Sequence, residues 1–228
     1  MRRTTVITLG TAAVAALTIG VIAAMAGNGS TSASGSTHAG HSMQATAATP
    51  LTASDLRSTL GRLLGEHAVL AMNATNLGVT GSTAFPEAAK ALDRNSVAIS
   101  NAIGSLYGAK AAKTFLDGPF QWRAHVKFFV DYTTALAKKD TAGQNKAVAN
   151  LKTYTVRHGD FLAGATGLPK LAVRNDLLGH VLELKGQLDA YAKGQYAKAA
   201  TQYQAAYAHM FMTGDLLAGA IAKQKNLK

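Results

Sequence analysis

Residues 206–221 read AYAHMFMTGDLLAGAI, a run of alanine, leucine, methionine and aromatic residues that predicts a helix and places His209, Met210 and Met212 within four positions. Successive helical residues are about 100 degrees apart, so Met210 is turned away from His209, whereas Met212 shares its face along with Ala205, Ala206 and Leu216. The segment therefore poses a choice between a metal-ligating cluster and a core histidine with a flexible filler beside it.

The same pattern extends outward over Leu51 to Lys228. Apolar residues recur three and four apart, alternating runs are scarce, and helices are predicted over 53–77, 84–106, 109–138, 141–164, 169–192 and 196–224. Thr52 and Asp55 have capping-box spacing, Pro86 suits a first turn, and Gly78, Gly108 and Gly194 suit helix ends. With gaps this short, neighbours in sequence pack antiparallel, and the expected fold is all-α, an up-and-down bundle of about six helices.

Helical spacing then assigns the histidines. His67 falls among Leu60, Leu63, Leu64, Leu70, Ala71 and Ala74, and His125 shares a face with Trp122, Phe129 and Tyr132. His158 shares one with Leu151, Tyr154, Phe161 and Leu162, His180 with Val173, Leu177 and Leu184, and His209 with the residues named above. All five are expected to point inward. Buried imidazoles need polar partners, and a shared ion, a haem or an ordered polar network would provide them.

A degenerate duplication is also expected. HVKFFVDYTTALAKK from His125 overlays HMFMTGDLLAGAIAK from His209 without a gap, pairing Asp131 with Asp215, and LLGEHAVL resembles LLGHVLEL with one residue removed. His67 and His125 of one half would correspond to His180 and His209 of the other.

LLGEHAVLAMNAT, WRAHVKFFVDYTTALAKKD, HVLELKGQLDAYAKGQYAKA and AYAHMFMTGDLLAGAIAKQ resemble a group of secreted helical proteins of Gram-positive bacteria, sometimes labelled by association with copper amine oxidase-like domains. The resemblance implies that His67, Trp122, His125, His180, His209 and Asp215 occupy motif positions. It leaves out His158, and it carries over no activity.

Several chemistries are excluded by composition. With no cysteine there is no disulfide, thiolate metal site, thiol nucleophile or covalent c-type haem. A di-iron carboxylate bundle needs more glutamates than Glu66, Glu87 and Glu183, and neither H-x-x-x-H nor H-E-x-x-H occurs. No nucleophile motif, phosphate loop or dinucleotide fingerprint is present, so the reading leans away from an enzyme. The best acid–base pairing, His180 with Asp176 or Glu183, reads as helix-surface charge. What remains is a metal site with one histidine per helix, His67, His125, His180 and His209, with Met212 or Met72 nearby. Such a site suits a copper ion, with haem as the alternative.

The beginning of the chain predicts export. MRRTT is followed by an apolar run of 21 residues ending in Ala24-Met25-Ala26, a signal peptide or an N-terminal anchor over 1–26. Residues 27–50 have flexible-linker composition, and HAGHSM within them holds His38, His41 and Met43. The bundle domain is 51–228, expected to be secreted or held at the outer face of the cytoplasmic membrane. Without Arg2 and Arg3 the 23 basic side chains become 21 against 12 acidic, a net +9. That charge suits anionic cell-wall polymers or a membrane surface; nucleic acid is not expected there. Two functions follow: a metal carrier, store or sensor, and a basic envelope-associated interaction or structural domain.

Overall fold

A computed structural model describes residues 51–228; the leader, the linker and its HAGHSM motif lie outside the described residues. The described chain is a bundle of seven α-helices: α1 (Ala53–Val79), α2 (Phe85–Tyr107), α3 (Ala109–Leu116), α4 (Trp122–Ala137), α5 (Thr141–Thr166), α6 (Lys170–Ala192) and α7 (Tyr196–Lys225). None of them is long and apolar enough to cross a membrane.

Local chemistry accounts for most boundaries. Thr52 and Asp55 form the capping box at the start of α1, satisfying backbone N–H groups that have no partner inside the helix. Pro86 lies in the first turn of α2, where its missing N–H costs nothing. Gly108 ends α2 at φ 85° and Gly167 ends α5 at φ 73°, conformations that side chains with a Cβ avoid. α1 runs one residue past Gly78, to Val79, and the reversal falls at Gly81.

The helix expected over 109–138 is two helices. Pro119 disfavours helical geometry at the residue before it and removes a donor, and Gly118 takes φ 150°, so the chain breaks over Asp117 to Gln121. The break turns Trp122 and His125 on α4 and Phe115 on α3 toward one another, Phe115 stacking on Trp122 at 5.1 Å.

α1 is the hub. It packs against α2, α4, α6 and α7, and the contacts continue from α4 to α5, α5 to α6 and α6 to α7, closing a ring with α2 and α3 laid against it. Close approach of α1 and α7 depends on Gly214, because a Cβ there would meet the Gly61 backbone at 3.1 Å. The backbone N–H of Ala53 donates to the carbonyl of Lys228 (2.8 Å), tying the ends of the bundle together.

Two apolar clusters fill the middle. The first joins Leu63, Leu64, Ala68, Ile99, Phe115, Trp122, Leu162, Val173, Leu177 and Met210. The second joins Ala71, Leu92, Phe129, Leu151, Val181, Leu184 and Ala206. On α4, α5, α6 and α7 a histidine sits in sequence between the two sets, and on α1 His67 lies at the end of the first set beside Ala68, giving one imidazole-bearing layer across the ring.

Candidate metal centre in a layer of histidines

Four of the five layer histidines are buried: His67, His125, His158 and His180 are each 5% exposed or less. Their rings form a row. His158 stacks on Tyr154 at 5.1 Å, Tyr154 on His125 at 4.6 Å, His125 lies 5.3 Å from His67, and His67 and His209 each lie 6.3 Å from His180. Trp122 packs against both members of the central pair, 4.9 Å from His67 and 4.8 Å from His125.

At the centre, His67 Nε2 faces His125 Nε2 across 3.2 Å. The orientation of His67 is fixed from α2. Asn95 donates through Nδ2 to the Leu63 carbonyl (3.0 Å) and to Glu66 Oε2 (3.3 Å), which turns its Oδ1 toward His67 Nδ1 at 3.2 Å. An amide oxygen only accepts, so Nδ1 of His67 carries the proton and Nε2 presents its lone pair to His125. That lone pair requires a proton or a cation between the two rings. A carboxylate behind an amide behind an imidazole is also the kind of support that orients metal-bound histidines.

Two nitrogens sharing a tetrahedral ion lie about 3.3 Å apart when each is roughly 2.0–2.1 Å from the metal, so the observed separation suits a shared ion with little movement. Beside the pair is a cavity of about 10 Å³ lined by Ala71, Leu92, Val126, Phe129 and Leu184. It is the size of a single ion or water rather than of a macrocycle.

Burial holds these imidazoles neutral. It pushes His67 down to about 4, with Asn95 opposing, and His158 down to about 3. It also takes His125 and His180 well below the usual histidine range, helped by neighbouring imidazoles. The Trp122 carbonyl opposes the shift at His125 without reaching Nδ1 in hydrogen-bonding geometry. His158 Nδ1 donates to Gln121 Oε1 (2.6 Å) at the start of α4. Trp122 Nε1, His125 Nδ1, His158 Nε2 and both nitrogens of His180 have no hydrogen-bond partner within the protein. Each such buried atom costs about 1–3 kcal/mol, an unusual concentration in one layer.

His209 departs from its expected role. Its Nδ1 is 2.9 Å from Glu183 Oε2 and its Nε2 is 3.2 Å from Asp176 Oδ1, and Thr213 donates to Asp176 as well (2.9 Å). Both ring nitrogens face carboxylates, so both carry protons, and the Asp176 and Glu183 contacts raise His209 to about 9 against the opposing effect of burial. An imidazolium has no lone pair for a metal. Asp176 and Glu183 thus serve His209, not His180 as the acid–base pairing supposed, and they do so at the edge of the core.

The methionines are corrected too. Met212 is 64% exposed and Met210 only 2%, the reverse of the expected assignment. α7 buries Ala199, Ala206, Met210, Thr213, Gly214, Ala218 and Ile221, a face turned about one residue from the one that carries Met212 and Leu216. Met72 is half-buried on α1 and belongs to none of the apolar clusters described for the core. The expectation that three or four imidazoles share an ion narrows accordingly: no group of three or more His, Asp or Glu among the described residues is disposed to hold a metal ion together. The structure brings His67 and His125 together, places His180 next to His67, and sets His209 apart in an ion pair.

Asn95 and Gln121, which orient His67 and His158, were not anticipated. Asn95 could have been found as a lone amide on the apolar face of a predicted helix, in DRNSVAIS. No protein-family model, curated protein or solved structure matches the chain.

Proposed function

We propose that this is an extracytoplasmic helical bundle that binds one metal ion, copper in preference to others, between His67 and His125, and acts as a carrier, store or sensor. The observation that carries the reading is the 3.2 Å approach of two buried Nε2 atoms, one with its lone pair fixed by Asn95. Imidazole suits copper, and a third imidazole, His180, lies next to the pair at 6.3 Å from His67. Haem is the weaker alternative, because a macrocycle would have to part α1 from α4 where their rings nearly touch.

The finer architecture belongs to the same reading. An up-and-down order is supported by the two central clusters, which draw on α1, α4 and α6 in rising residue number and on α2, α5 and α7 in falling number. Duplication rests on the gap-free overlay of the His125 and His209 segments, and the likeness to secreted helical proteins of Gram-positive bacteria rests on the four motifs quoted above. Secretion or anchoring at the outer membrane face rests on the composition of residues 1–26.

Trp122 provides the test. It is the chain's single tryptophan and packs on both rings, so a paramagnetic ion bound there quenches its fluorescence. Titrating the full-length protein with Cu²⁺ is expected to quench Trp122 with one equivalent, and a His67→Ala/His125→Ala variant of unchanged helicity is expected to keep its emission. Equal behaviour of the two proteins defeats the reading.

A second reading has its own support. Arg123, Arg174, Lys127 and Lys185 pair with Asp93, Asp160, Asp131 and Asp189, so much of the acidic complement is neutralised and the excess of lysine remains for a polyanion. In that case the domain adheres to anionic cell-wall polymers or membrane headgroups, and its histidines are a structural polar layer.

A further inference from the structure

His180 is the least explained side chain of the layer. It is 5% exposed, and neither ring nitrogen has a hydrogen-bond partner within the protein. A buried imidazole with two idle nitrogens gains nothing over leucine in packing and loses the hydration of both atoms, so a role other than filling space is indicated.

Its position supplies one. The ring lies 6.3 Å from His67 on one side and 6.3 Å from His209 on the other, centroid to centroid. On α6, Asp176, His180 and Glu183 follow one another at spacings of four and three, so the carboxylates that hold His209 share a face with His180. Asp176 and Glu183 side chains are 20% and 32% exposed, which makes this the place where the layer meets solvent. Two carboxylates against one imidazolium leave it with a net negative charge, attractive to a cation. Gly179 completes the arrangement: a Cβ there would meet His209 Cε1 at 2.7 Å, so its absence lets the His209 ring lie against α6 beside His180.

We propose that His180 is a relay ligand, taking a metal ion drawn to the mouth by the net negative charge of the Asp176 and Glu183 carboxylates around His209 and passing it to the His67–His125 pair. The proposal rests on the metal-binding reading above and adds the route. By rotating, the His180 ring can offer one nitrogen toward the mouth and then one toward the pair, so the ion crosses the apolar layer without ever being stripped of all its ligands. The relay alters how fast the pair fills and empties. It does not add a permanent ligand.

The experiment is stopped-flow quenching of Trp122 after mixing full-length protein with Cu²⁺, the signal of the His67→Ala/His125→Ala variant being subtracted so that what remains is arrival at the pair. The proteins compared are wild type, His180→Leu and the mouth variant Asp176→Asn/Glu183→Gln. The relay predicts that His180→Leu reaches the wild-type final quench much more slowly, and that the mouth variant is slowed about tenfold with a weaker dependence on salt. Unchanged loading rates in either variant overturn the relay while the site stands. Loss of the final quench in a folded His180→Leu also overturns it, by making His180 a permanent ligand. Absence of quenching in the wild type removes the site and the route together. Because the mouth variant alters only the partly exposed edge, it decides the matter even if His180→Leu does not fold.

Discussion

His67 and His209 are the same residue type, each 6.3 Å from His180 in one layer, and the protein holds them in opposite charge states. His67 is sealed in the core with Asn95, His125 and Trp122 around it and no counter-charge, and burial keeps it neutral down to about 4. His209 lies at the rim between two carboxylates, which keep it charged up to about 9. Desolvation wins where no counter-charge is present, and hydrogen-bonded carboxylates win where solvent still reaches the site. The deep end of the row therefore carries uncharged imidazoles, and the rim an imidazolium held between two carboxylates.

Acid should break the deep end first and with the largest effect. A histidine whose folded value lies below its unfolded 6.5 stabilises the fold fully above 6.5 and loses that contribution as pH falls through the folded value. His67 and His158 lose theirs down to about 4 and about 3, and His125 and His180 lose theirs in the same direction. For each such group the fold loses about 1.4 kcal/mol per pH unit below 6.5, so His67 and His158 alone remove a large share of an ordinary domain's stability as pH falls toward 4. Circular dichroism against pH should show cooperative loss of helix there, and His158→Leu should move the midpoint to lower pH.

Next in size is the methionine contrast. Met210→Ala should cost about 2–5 kcal/mol in urea unfolding, the usual loss for a buried methionine, while Met212→Ala stays within about 0.5 kcal/mol and leaves copper quenching unchanged. Equal costs would mean that α7 buries the other face.

The rim should respond to base instead. His209 has a folded value above its unfolded one, so its contribution is complete below 6.5 and disappears as pH rises through about 9. His209→Ala should cost about 1–2 kcal/mol at pH 6 after allowance for solvent screening, and less than half of that at pH 10. Gly179→Ala, which pushes the ring from its seat, should cost about 1 kcal/mol and lower the value of His209 measured by NMR titration.

Much of this was legible beforehand because leucine marks a helix face clearly. On α1 the leucines around His67 leave only one inward face, and the inward placement of His67, His125, His158 and His180 follows from spacing alone. α7 was misread because alanine, methionine and leucine surround it on every side. Its phase is set by Gly214 against Gly61 and by Met210 in the core, contacts between residues about 150 positions apart that no local pattern contains. The break after α3 was legible and missed: Asp117-Gly118-Pro119 is a stop signal that the apolar periodicity on either side outweighed in the reading. The partners of the histidines were not legible, since Asn95, Gln121, Asp176 and Glu183 reach them across helix interfaces.

The layered placement of the histidines also bears on how this chain finds one arrangement among many. Alanine-rich helices present nearly uniform surfaces, and sliding one of them by a turn against its neighbours exchanges small apolar groups for similar ones. A slide in this bundle would instead take His67 from Asn95 and His125 from His67, leaving imidazoles against leucine with no hydrogen-bond partner at all. The row thus works as a vernier: it costs stability in the native state and costs more in every shifted one, so the helices lock at a single height.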